Sequence, residues 1–341
     1  MDVLIIGGTG TISRAIVQAL LRRGHTVTIF ARGQHADPPP PEVRLLRGDR
    51  RDRPAFAATL AAERFDAAID MISFSAEDAA STMHALAGRV GHLVHCSTVM
   101  TYGPPFAGLF QDEDAPLNGQ HDGGYGAGKV AADALLLRAH AERDLPVTIV
   151  KPSFTFGPGS PLWRQVDWRT DWIDRLRKGK PLLVAGDGLN LFQFLPAADA
   201  GAAFAALLGR EEAFGESYHL VHPQPLTWDD WHRAVAGVLG VEAALVHAPQ
   251  DLLVAVDAAR YGGLRSNFGH TQVFSGAKLA RLLPDWQPAT PHAMAIAATV
   301  DWMDTHGKVA NSDDDQLEDR IIAALRELPG RIAGGGRGSP G

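Results

Sequence analysis

Along the first half of this chain, apolar and polar positions fall in a repeating order. A short unbroken apolar run is followed by a glycine- or hydroxyl-rich break, and then by a longer stretch with apolar residues every three or four positions. Val3-Leu4-Ile5-Ile6 opens the series. A segment that is apolar at every position suits a strand buried on both faces of a parallel sheet. Gly7-Gly8-Thr9-Gly10 breaks the run, and an amphipathic stretch continues through Leu21. The spacing then predicts strands over 26–30, 43–46, 65–72, 92–98 and 147–150, with helices over 77–87 and from the Gly123–Gly128 stretch through His140. Strands alternating with helices predict an α/β fold with a doubly wound parallel sheet.

From Phe154 onward the pattern changes. Trp163, Trp168 and Trp172 stand among Arg164, Asp167, Arg169 and Asp171, which reads either as a smaller substrate-facing lobe or as a lobe packed on the sheet by its tryptophans. A strand and turn are expected over 191–196, and Asp199 is expected to cap or begin an apolar helix through Leu208. A strand follows over 219–223, and a helix over 227–239 opens with a capping box of Thr227 and Asp230. The expected division is a nucleotide-binding domain over 1–153, to which a strand and helix near 190–210 return. A C-terminal substrate lobe covers 154–308, and a charged helix and glycine-rich tail cover 309–341. The amphipathic stretch 312–328 reads as a solvated appendage, and the tail as disordered. Residues 241–281 carry no assignable chemistry.

Composition narrows the function classes. With 341 residues, 45% apolar and 21% charged, the chain can bury a large core. A formal charge of −7 argues against a general nucleic-acid binder, which needs clustered cations to displace counterions. The single cysteine, Cys96, excludes an internal disulfide and suits a reducing compartment. No basic, apolar leader and no membrane-length stretch is visible, so a cytoplasmic protein is expected. His92 and His95 point to opposite faces of a strand, and no other His/Cys/Asp/Glu set has ligand spacing, so no metal is expected.

Four places carry candidate chemistry. In the glycine turn, Gly7 permits the reversal and Gly10 lets backbone approach a ligand. The amides near Thr11 and Ile12 at the helix start attract a pyrophosphate. Ser13 takes the place of the usual third glycine and is small enough for close helix–strand packing. The second strand ends Phe30-Ala31-Arg32 with no acid to bind ribose hydroxyls, and Arg32 is placed to pair with a 2′-phosphate. NADP is therefore favoured, with NAD as the alternative. Asp49, just past the third strand, could accept from an adenine amino group or cap the next helix. Finally, Tyr125 and Lys129 are spaced i, i+4 on one helix face.

Taken with Ser97-Thr98, Thr101-Tyr102-Gly103, Lys151-Pro152-Ser153, Phe156-Gly157-Pro158-Gly159 and Gly186-Asp187-Gly188, this chain resembles the extended short-chain dehydrogenases/reductases, the NAD-dependent epimerase/dehydratase group, over roughly 1–305. The resemblance implies a Rossmann domain and a Tyr/Lys/Thr proton-transfer site beside a nicotinamide. Tyr125 would be the acid/base, Lys129 its tuning charge and ribose contact, and Thr98 the hydroxyl, with Ser97 a partial substitute. Ile72 and Pro152 would add cofactor contacts. The implied substrate is a sugar, sugar nucleotide or related carbohydrate-like metabolite, undergoing reduction or epimerisation. Thr98-Val99-Met100 lacks the acid pair of the 4,6-dehydratases, and no arginine stands near Phe192 to hold a diphosphate. The group also implies a homodimer through helices 77–87 and 129–140, where Ala79, Ala80, Ala131, Ala132 and Ala134 allow close approach. Phe30-Ala31-Arg32-Gly33, Gly48-Asp49-Arg50-Arg51-Asp52 and Phe192-Gln193-Phe194 further resemble the chloroplast stem-loop-binding branch, which implies the alternative of an RNA-associated protein.

Overall fold

The structure, a computed structural model, describes all residues except 35–36, 120–123, 143–144 and 335–341. Gly123 and the glycine-rich terminus from 335 therefore lie outside the described residues. The central sheet is built from β1 (Asp2–Ile6), β2 (Thr26–Ala31), β3 (Arg44–Arg47), β4 (Ala67–Asp70), β5 (Leu93–Cys96) and β6 (Val147–Pro152). Short strands follow: β7 (Phe154–Phe156), β8 (Leu182–Ala185), β9 (Leu191–Phe192) and β10 (Phe194–Pro196). The last three are β11 (Ser217–Leu220), β12 (Leu226–Thr227) and β13 (Leu245–Ala248). The main sheet is seven-stranded in the order β11-β6-β5-β4-β1-β2-β3, and every pairing in it is parallel.

The alternation of side chains along β1 explains both layers of the fold. Val3 and Ile5 pack into one core, while Leu4 and Ile6 pack into the other. Helices α1 (Thr11–Arg22) and α6 (Ala197–Leu207) cover the first face, supplying Ile16, Leu20, Ala200 and Phe204. On the second face lie α2 (Arg53–Leu60), α3 (Ala76–Leu86) and α4 (Tyr125–Ala141), with Phe56, Ala79, Ala132 and Leu136 buried. Strand order reverses between β1 and β4, which opens a crevice beyond their carboxyl ends.

The chain returns to the sheet differently from the sequence expectation. Helix α6 does return, packed on α1. The strand near 190 does not: β10 pairs with β7 in a separate ladder, and the seventh strand of the main sheet is β11. The predicted 65–72 strand shrinks to four residues, with Phe65 left in an isolated bridge to Val90.

The lobe is organised around aromatic packing. It contains α5 (Asp171–Arg177), α7 (Trp228–Val238), α8 (Gln250–Val256), α9 (Ala258–Tyr261), α11 (His292–Thr305) and α12 (Leu317–Gly334), whereas α10 (Ala277–Leu282) packs on β11 and puts Leu279 in the first core of the main sheet. Trp172, Trp228, Trp231 and Phe194 are fully buried in its core. The capping box of α7 forms as expected, with Thr227 accepting from the Asp230 amide at 3.0 Å. Asp199 does not cap α6. It lies inside the helix, and its carboxylate accepts from the Ala289 and Thr290 amides. The charged terminal helix is not a solvated appendage either. Glu318 is 1% exposed and ion-pairs with Arg164 at 2.8 Å, while Ile321 and Ile322 enter the lobe core.

Candidate active site

The glycine turn follows β1 directly. Gly7 has φ +86°, and a Cβ there would stand 2.6 Å from Ile72 Cγ2, so both backbone conformation and space require glycine. Register pairs Ile6 with Phe30, and the Gly7 amide donates to the Phe30 carbonyl at 2.9 Å. Ser13, in place of a third glycine, turns its buried hydroxyl inward and donates to the Gly7 carbonyl at 2.8 Å. Gly10 precedes α1 without a side-chain cap. A Cβ on Gly10 would meet no protein atom closer than 3.9 Å. The space above it is open, and the Thr11, Ile12 and Ser13 amides have no intrahelical acceptors. That combination fits an anionic pyrophosphate at a helix N-terminus.

A cavity of about 410 Å³ runs over this turn. Gly7, Gly10, Thr11, Ile12, Arg32, Asp49 and Ile72 all line it, as predicted residues, and Pro152 and Lys129 do not. Sequence reasoning missed Thr155 and Ser160, which wall the groove from the β7 side. A second cavity, about 450 Å³, lies along α1 between Arg14, Gln18 and the Pro38–Pro40 connector, and takes in none of the strand-end hydroxyls. Asp49 does not cap α2. Asp52 does so by accepting from the Ala55 amide, while Asp49 accepts from the Arg51 amide at 2.9 Å.

Beneath the groove lies a buried polar network that the sequence did not reveal. Asp70, at the end of β4, accepts from the Ile72 and Ser73 amides at 3.0 Å and from the Ser73 and Thr82 hydroxyls at 2.5 Å. Arg50 donates to Asp70 at 3.3 Å and to Ser73 Oγ at 2.8 Å, and its other nitrogen reaches the Asp78 carbonyl at 2.7 Å. Burial pushes the Asp70 carboxyl up, but Arg50, His95 and the two hydroxyls outweigh it and hold the group below its usual range. A carboxylate ending an otherwise apolar strand was the signal available for Asp70.

The same network reaches Lys129. Its Nζ donates to the Ser73 carbonyl at 2.7 Å and the Cys96 carbonyl at 2.6 Å, and it lies 4.9 Å from the Phe74 ring centroid. An ammonium has three donors, so the two carbonyls leave one N–H for another acceptor. Burial lowers the Lys129 pKa, and Cys96, Asp70 and Asp133 oppose that shift in part. Tyr125, one turn earlier at the start of α4, is 43% exposed, with its ring 6.2 Å from that of Phe74.

The strand-end hydroxyls part company. Thr98 is buried in extended backbone beyond β5 and accepts from the Met100 amide at 3.2 Å, which leaves its own proton to donate. Ser97 instead gives its proton to Asp133 at 2.8 Å. Asp133 also pairs with Lys151 at 3.3 Å, so Ser97 belongs to a buried structural pair and not beside Thr98.

Comparison with known proteins now decides the family. Residues 3–220 match the model for the NAD dependent epimerase/dehydratase family. The chain belongs to that family. Over 336 residues it is 30% identical to 2′-dehydrokanamycin reductase of Streptomyces kanamyceticus, an alignment spanning 98% of this chain and 91% of the relative. It is 28% identical over 261 residues to the chloroplast stem-loop binding protein of 41 kDa b of Arabidopsis thaliana, covering 72% of this chain and 65% of that protein. In fold it is similar to the dTDP-glucose 4,6-dehydratase of Bacillus anthracis solved with NAD: TM-score 0.70, 18% identity, 89% of this chain and 97% of the other. Among the described residues of this epimerase/dehydratase-family chain, no His/Cys/Asp/Glu group could hold a metal. Nor is any helix long and apolar enough to cross a membrane.

Proposed function

We propose that the chain is an NAD(P)-dependent oxidoreductase acting on a ketone or hydroxyl carbon of a carbohydrate-like small molecule, with NADP preferred and NAD the alternative. The observation that carries this reading is Lys129, one turn after Tyr125 on α4: its ammonium is bonded to the Ser73 and Cys96 carbonyls just past β4 and at the end of β5, and α4 packs on the turn that Thr98 opens. Gly7, Gly10, Thr11 and Ile12 would hold the pyrophosphate, Arg32 the adenosine end, and Lys129 the nicotinamide ribose through its remaining N–H. The nicotinamide, when bound, supplies or accepts a hydride. A phenol near pKa 10 is a poor base at neutrality, and the buried Lys129 ammonium one turn away favours the phenolate. Tyr125 would give a proton to the carbonyl oxygen as it becomes an alcohol, or take it in reverse. Thr98 would donate to the same oxygen as charge develops there.

The lobe supports a substrate without a diphosphate. Between 160 and 180 every arginine and lysine is already paired: Arg164 with Asp167, Arg169 with Asp171, Arg175 with Asp319, Arg177 with Asp304, and Lys178 and Lys180 with Asp313. Those cations are spent on architecture. The similarity to a reductase over nearly the full chain ranks net ketone reduction ahead of epimerisation. A turnover assay following NADPH absorbance against free carbohydrate ketones and sugar nucleotides tests this. Consumption with the former and none with the latter is expected; turnover of sugar nucleotides alone overturns the substrate class.

A second reading, an RNA-associated protein, is favoured by the likeness to the stem-loop binding protein. Tight, salt-resistant RNA retention in a gel shift, with no cofactor binding, would establish it in place of catalysis. We further propose a cytoplasmic homodimer. Ala80, Ala131 and Ala134 are exposed on α3 and α4 and available to a partner, whereas Ala79 and Ala132 pack inward. Light scattering that gives a monomer mass would reject the dimer.

A further inference from the structure

The carboxyl ends of β2 and β3 each lead into an arginine: Arg32, which lines the groove, and Arg47, the last residue of β3. Register pairs Ala31 with Arg47, so Arg32 leaves β2 one residue beyond the point where Arg47 leaves β3. Both side chains are exposed. Arg47 does not extend away from the sheet: its Nη1 sits 3.5 Å from the Gly33 carbonyl, across the residue that follows Arg32. Gly33 has φ +69°, and a Cβ there would collide with the Arg47 guanidinium. The turn is therefore shaped so that this side chain lies back against it. Among the described residues, neither Arg32 nor Arg47 pairs with a carboxylate, although most other arginines of the chain do. Asp49, the nearest acid along the chain from Arg47, turns its carboxylate to the Arg51 amide.

Resting on the NADP reading above, we propose that Arg47 is a second specificity-determining residue, which joins Arg32 in holding the 2′-phosphate of the cofactor. A dianionic phosphate can accept charge-assisted hydrogen bonds from two guanidinium forks at once, and Arg47 lies against Gly33, the residue that follows Arg32. Arg47 comes to that position from the third strand, where the sequence gives no glycine-motif signal. The β2–β3 register and the left-handed Gly33 bring it there.

The test uses the full chain and two fragments, 2′,5′-ADP and 5′-AMP, titrated by calorimetry. Wild-type protein binds 2′,5′-ADP more tightly than 5′-AMP. Arg47→Gln should weaken 2′,5′-ADP roughly ten-fold and leave 5′-AMP unchanged, the scale of losing one hydrogen bond to a charged group. Arg32→Gln should do the same, and Arg47→Lys should recover part of the loss. If Arg47→Gln binds both fragments as wild type does while Arg32→Gln loses 2′,5′-ADP, the role of Arg47 is overturned and the NADP reading stands. Equal weakening of both fragments by Arg47→Gln also overturns it, by showing that the side chain only shapes the turn. If wild type binds the two fragments equally, the NADP reading itself fails.

Discussion

The two halves of the molecule each bury a network of arginines and carboxylates, and the networks end differently. Under the glycine turn, Arg50, Asp70, Ser73 and Thr82 lead to Lys129, and Arg50 also lines the groove. In the lobe, Arg164 is held by Asp167 at 2.9 Å and Glu318 at 2.8 Å, Arg260 by Asp167 at 2.7 Å, and Arg175 by Asp319 at 2.6 Å. That cluster closes on itself and ties α12 to the lobe across some 150 residues of sequence. One network positions groups beside a cavity; the other replaces apolar packing with architecture. Buried charge by itself does not mark a site. The difference is where each network stands: Arg50 of the first lines the groove, and the second lies against the aromatic core of the lobe.

The largest test of this contrast is at the open end. Tyr125→Phe keeps the ring and removes one hydroxyl. Turnover should fall by about 10²–10⁴-fold with cofactor affinity unchanged, the usual loss for a positioned proton-transfer group. Lys129→Met should lower turnover and cofactor affinity together, because both the charge and the spare N–H go. Unchanged turnover in Tyr125→Phe would place the chemistry elsewhere.

At the closed end, Glu318→Gln leaves Arg164 and Arg175 short of buried negative charge. Stability should drop by about 3–5 kcal/mol, as when one partner of a buried pair is removed, while NADPH affinity in the folded protein stays at the wild-type value. Denaturant melts and calorimetry read the two separately. A change in cofactor affinity would show that the lobe network belongs to the site after all.

A smaller effect is expected at the turn. Ser13→Ala removes the hydroxyl bonded to the Gly7 carbonyl, and that carbonyl still accepts from the Thr9 amide at 2.9 Å. Stability should fall by about 1 kcal/mol, with a matching loss of cofactor affinity if the bond holds the turn in shape. Thermal melts with and without NADPH decide it.

The sheet and the glycine turn were legible because they depend on local order. Apolar runs of strand length, each followed by a break and a helix, leave few other folds for residues 1–150. The pairing of charges was not legible in the same way. Arg50, Arg51 and Arg53 look alike in sequence, and only the approach of β4 and α3 selects Arg50 for burial. Glu318 sits in a stretch whose charge density suits a solvated helix, and its partners lie on α5 and before it. The sequence order of Ser97 and Thr98 also hides that the two hydroxyls take different partners, Ser97 the Asp133 carboxylate and Thr98 the Met100 amide.

The smallest effect expected is where the two halves meet. Asp37, on the connector after β2, accepts from Arg14 at 2.5 Å and lies 2.9 Å from His306 Nε2 at the end of α11. The hydrogen bond to Asp37, followed by that to the Trp302 carbonyl, raises the His306 pKa above 6.5, and the same His306 contact leads the lowering of Asp37. The sign follows from linkage. A histidine whose pKa is raised by folding contributes stability that is fully present below about 6.5 and is lost as pH rises through its folded value. Asp37 acts in the opposite direction, contributing above the usual carboxylate range and losing its contribution as pH falls toward its lowered folded value. The connector is therefore held most firmly to α11 between the carboxylate range and about pH 6.5. His306→Gln should flatten the fall in stability that wild type shows above that pH, and leave stability below it reduced. Melts across pH 5–9 on both proteins measure this, and parallel curves would show that the His306 contact adds no pH-dependent stability.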